Sequence, residues 1–88
     1  MPRTTPRKPD YERITRMIKS HMLLAGVRFI DLKGRNPESY RRWTNAPNTI
    51  RIEDLAMLLT GIGCTREEQE ELVINLYREC VQSTRRKQ

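Results

Sequence analysis

Along most of the chain, apolar residues recur every three or four positions, the spacing of helices that bury one face. Tyr11, Ile14, Ile18 and Met22 form the first such stripe, widened by Met17, His21 and Ala25. Asp10 is a fitting N-cap and Gly26 a natural stop, so a helix is predicted over 10–25. In residues 27–33, Val27, Phe29 and Asp31 alternate with Arg28, Ile30 and Leu32, and neither set is cleanly apolar. A short strand and a short helix both fit this stretch. The helical neighbours favour a helix over 28–33, ended by Gly34.

Asn36-Pro37-Glu38 is a strong helix start. Asn caps, Pro occupies a first turn that needs no amide, and Glu meets the positive end of the dipole. A helix over 37–45 points Tyr40 and Trp43 inward together and ends before Ala46-Pro47. Ile52, Leu55, Leu58, Leu59 and Ile62 make the apolar face of a helix over 52–61, with Glu53 and Asp54 in its first turn and Gly61 and Gly63 at its close. Thr65 and Glu68 have the spacing of a capping box. Leu72, Val73, Leu76, Tyr77 and Cys80 then predict a helix over 66–82. The whole pattern is that of an all-α protein, a compact five-helix bundle at 10–82. Residues 1–9, with three prolines and three basic residues, read as a disordered basic arm, and 83–88 as a fraying basic tail.

Length and charge narrow the picture. With 88 residues there is room for one domain only. Lys and Arg number 17 against 11 Asp and Glu, a net charge of +6. The excess is uneven: residues 1–51 carry 12 basic and 4 acidic side chains, residues 52–88 carry 5 and 7. A basic half of this kind points to a polyanion, with nucleic acid the first candidate.

Other chemistry is sparse. Cys64 and Cys80 lie sixteen apart, without a CxxC, beside a single histidine, His21. That spacing yields neither a zinc motif nor a disulfide framework, and reduced thiols in a cytoplasmic protein are expected. No apolar run approaches the ~18–20 residues that cross a bilayer, and the N-terminus has no secretory h-region. A phosphate loop, a GxSxG and a Ser/His/Asp set around His21 are all missing. The expectation is therefore a non-enzyme with no metal, no cofactor and no small-molecule substrate.

The segment from Gly34 through Asn36-Pro37-Glu38-Ser39-Tyr40-Arg41-Arg42-Trp43 to Asn45 resembles the turn and recognition helix of the phage Cro/repressor-type helix-turn-helix family. Residues 52–65, ending Ile62-Gly63-Cys64-Thr65, resemble that family's fourth helix and its closing Leu-Gly-Val-Ser. The likeness covers residues 11–66. Two departures stand out. Arg35 occupies the apolar position after the turn glycine, and the stretch before Gly34 is about three residues short, which implies a clipped second helix.

The resemblance implies a sequence-specific, nucleoid-associated transcriptional regulator, of the phage or prophage repressor type or a similar bacterial kind. It would read double-stranded DNA in the major groove with helix 37–45. Glu38, Ser39, Arg41, Arg42 and Asn45 are the candidate base readers, since Arg pairs with guanine, Asn with adenine, and Glu accepts from cytosine. Arg28, Lys33, Arg35 and Arg51 suit phosphate contacts. For the last helix two roles are open: packing back on the first helix, or forming a homodimer through Leu72, Val73, Leu76, Tyr77 and Cys80. The competing function is a protein-interaction module, an adaptor or inhibitor on the same fold.

Overall fold

The computed structural model describes residues 10–86. The expected arm at 1–9 lies outside the described residues, as do the last two positions of the expected tail. The described residues are all-helical, with four α-helices: α1 (Tyr11–Ala25), α2 (Pro37–Asn45), α3 (Ile52–Ile62) and α4 (Arg66–Arg86). Two short 3₁₀ turns, Phe29–Asp31 and Pro47–Thr49, link them.

Local chemistry sets most boundaries. The Asp10 carboxylate accepts from the Arg13 N–H at 3.1 Å, and Asn36 Oδ1 accepts from the Ser39 N–H at 2.9 Å. At the start of α4, Thr65 Oγ1 accepts from the Glu68 N–H at 3.2 Å. Glu68 Oε1 reaches back to the Thr65 N–H at 2.8 Å, so both halves of the capping box form. α4 continues through Arg86, past the expected end at 82.

The expected helix over 28–33 is corrected to the single turn Phe29–Asp31. Asp31 folds back to accept the Arg28 N–H at 3.0 Å, and Leu32 is already extended. Leu32 instead drops its side chain into the core at 7% exposure. The chain then turns at Gly34, whose φ of 95° belongs to the left-handed region. A Cβ at this point would meet the Met57 thioether and the Tyr40 hydroxyl. The five-helix bundle is therefore four helices and a turn.

The core gathers Ile14, Ile18 and Met22 from α1, Tyr40 from α2, Leu55, Leu58, Leu59 and Ile62 from α3, and Leu72 from α4. Ile52 and Ala25, expected on apolar faces, are exposed. α4 lies against α1, the first of the two roles considered for it. The buried Glu79 carboxylate accepts from the Asp10 N–H at 2.7 Å and sits 3.8 Å from Arg13. Arg13 also donates to Asn75 Oδ1 at 2.9 Å, and the Tyr11 hydroxyl lies 3.8 Å from Cys80 Sγ.

Candidate nucleic-acid interface

α2 is a nine-residue helix with two distinct sides. Tyr40 and Thr44 are fully buried, and Trp43 packs edge-on against Tyr40 with ring centroids 6.0 Å apart. The Tyr40 hydroxyl donates to the Lys33 carbonyl, which ties the helix to the chain entering it. Thr44 Oγ1 donates to the Tyr40 carbonyl at 2.8 Å, and Thr15 of α1 donates to the Thr44 carbonyl at 2.6 Å. The inner side is thus fixed by packing and by hydrogen bonds at both ends.

On the outer side Glu38, Arg41, Arg42 and Asn45 are all exposed. Their spacing of three, four and seven residues places them on one stripe of the helix. Ser39 stands off this stripe and is half-buried. Glu38 and Arg41 form an ion pair with each other. Arg42, at the C-terminal end of α2, has no ion-pair partner among the described residues.

The expected phosphate contacts divide. Lys33 and Arg51 are exposed and have no ion-pair partner among the described residues. Arg28 reaches Asp31 at 3.6 Å but remains 79% exposed. Arg35 points its Nε at the buried Asp54 Oδ1, 3.1 Å away in the first turn of α3. That oxygen has no hydrogen bond of good geometry, so the contact is an ion pair without alignment. Arg35 therefore serves the fold first, although nearly half of its side chain stays accessible.

The proposed dimer residues also separate. Leu72 is corrected to a core residue, fully buried within the chain and unable to face a partner. Leu76 packs against the core, and Cys80 sits half-buried near Tyr11 on the side of α4 that meets α1. Val73 is half-buried, while Tyr77 is 68% exposed and Ile74 beside it 50% exposed. Val73, like Leu76, packs against the core, so the outward apolar residues of α4 are Ile74 and Tyr77.

One further grouping was not visible from spacing. His21 of α1, Cys64 in the α3–α4 turn and Glu68 of α4 bring ligand-type atoms within 4.8 Å of one another. Burial raises the Cys64 thiol above its ordinary pKa, and the charge of Glu68 adds to the rise. Counting only thiols and imidazole hid this set, because its third member is a carboxylate already accounted for as a helix cap.

Among the described residues no helix is long and apolar enough to cross a membrane. No protein-family model, curated protein or solved structure matches the chain.

Proposed function

We propose that this protein binds double-stranded DNA and reads its major groove with α2, as a sequence-specific transcriptional regulator of the phage-repressor type. The observation that carries this reading is the stripe Glu38, Arg41, Arg42 and Asn45 on a helix whose opposite side is locked into the core. A rigid helix presenting guanidinium, amide and carboxylate groups has the donors and acceptors that base edges need. Lys33 and Arg51 flank it with cations available for phosphates, which fix position without selecting sequence. The sequence likeness of residues 34–45 and 52–65 to the Cro/repressor helix-turn-helix supports the same reading.

A short α2 reaches few base pairs, so a twofold assembly fits the function. The exposed Ile74 and Tyr77 of α4 mark the surface we assign to it. The second reading, a protein-interaction module, is favoured by the exposed Leu23, Leu24 and Ile30, which are 83%, 84% and 68% accessible.

Selection of bound duplexes from a random library, followed by titrations over a salt series, separates the two. The regulator reading expects a preferred sequence bound at least a thousandfold tighter than random DNA, with affinity falling steeply as salt rises. Absence of duplex binding at low salt refutes it.

A further inference from the structure

We propose that His21, Cys64 and Glu68 form a binding site for a zinc-class divalent cation that clasps α1 to the start of α4. The three donors come from three separate elements, and their ligand atoms lie within 4.8 Å of one another. A tetrahedral ion with bonds of about 2.0–2.3 Å needs donors roughly 3.3–3.8 Å apart. Side-chain rotation of about an ångström closes that gap. Thiolate and imidazole select zinc-like ions over calcium or magnesium.

Charge also balances. A thiolate, a carboxylate and a neutral imidazole around a divalent ion sum to zero, which suits a half-buried place. Without an ion, Cys64 and Glu68 are two potential anions within 4.8 Å of each other. A cation removes that conflict and displaces the thiol proton to solvent. Glu68 uses Oε1 to accept the Thr65 N–H, and Oε2 has no hydrogen bond among the described residues, so one carboxylate can cap α4 and ligate together. The three side chains line a cavity of about 200 Å³ with Leu24 and Ile62, which leaves room for water as the fourth ligand.

The clasp is independent of DNA binding. It ties the end of α1 to the α3–α4 turn, so its effect is on stability.

The test uses the reduced, full-length chain freed of metal, titrated with Co²⁺ and separately melted with and without Zn²⁺. The expected result is saturation at one equivalent, with a thiolate-to-cobalt band and the strong visible bands of four-coordinate cobalt. Cys64→Ser loses the thiolate band. His21→Gln and Glu68→Gln each weaken binding at least tenfold, by analogy with the loss seen when metal-site support is removed. Glu68→Gln retains the helix cap and so folds whatever the metal does. Cys80→Ser changes nothing. Zinc at a hundred times Kd raises Tm by about 10–20 °C, reversibly with chelator. The proposal is overturned by an absence of saturation up to ~1 mM cobalt, by a thiolate band that survives Cys64→Ser or vanishes in Cys80→Ser, or by unchanged affinity in both His21→Gln and Glu68→Gln.

Discussion

Replacing Arg35 with methionine is expected to weaken the fold more than it weakens DNA binding. Asp54 is 3% exposed and Arg35 Nε is the cation beside it, at 3.1 Å. Removing one partner of a fully buried pair costs about 3–5 kcal/mol, because a charge is left without compensation. Two features reduce that here. The Arg35 side chain is 47% exposed, so water screens the interaction. Asp54 also lies in the first turn of α3, where the helix dipole supplies about 0.3–1 kcal/mol on its own. The expected loss for Arg35→Met is about 1–2 kcal/mol, equivalent to about 5–10 °C in a domain of this size. Asp54→Asn retains the side-chain volume and removes the charge. The double variant should then lose about 1 kcal/mol less than the sum of the two single losses. Urea unfolding followed by far-UV circular dichroism gives the four stabilities, and equal m-values validate the comparison. A coupling below about 0.3 kcal/mol, within the usual additivity error, refutes the assigned role of the pair. The same proteins test the division among the cations: Lys33→Met should lower DNA affinity and the salt slope while leaving stability nearly unchanged.

Other expectations follow from the same geometry. Arg42→Ala should cost more DNA affinity than Arg41→Ala, since Arg41 already engages Glu38; titrations on a selected duplex decide this, and equal losses would remove the distinction. Gly34→Ala should destabilise more than Gly26→Ala, because both carry positive φ but only Gly34 meets Met57 and Tyr40; paired melts with equal Tm losses would count against that packing. Leu72→Ala should cost about 2–5 kcal/mol as a core truncation. Tyr77→Glu should leave the fold intact and shift any dimer to monomer by sedimentation; a folded Leu72→Ala protein of wild-type stability would contradict its burial. The raised thiol of Cys64 should alkylate more slowly at pH 8 than a free thiol. Because its folded pKa lies above the ordinary 9.0, the associated stability is present below that pH and declines as pH rises through the folded value. Glu68→Gln should speed alkylation, and an unchanged rate would argue against electrostatic coupling.

Helix ends were the most legible part of the chain, because caps act through neighbours in sequence. Asp10, Asn36 and the Thr65–Glu68 pair make the bonds their spacing implied. The stripe on α2 was equally readable, since Tyr40 and its neighbours are separated by periodicity alone. What spacing did not show depends on distant partners. Residues 28–33 have enough apolar content for a helix, yet Asp31 captures the Arg28 amide and Leu32 leaves for the core. Leu72 and Tyr77 share one apolar run on paper, but five positions place them about 140° apart around a helix, and only the first faces the core. Asp54 and Glu79 look like surface acids until Arg35, Arg13 and the Asp10 amide arrive beside them. His21 meets Cys64 and Glu68, more than forty positions away, only once the chain has folded.

The bond from the Asp10 amide to Glu79 joins residues 69 positions apart. During synthesis α1 emerges long before the carboxylate that secures its first turn. The three leading helices must therefore wait, with their core still lacking Leu72, until α4 has left the ribosome. Completion of the domain therefore depends on α4, and a polypeptide interrupted before Leu72 would leave the core formed by the first three helices open to chaperones and proteases.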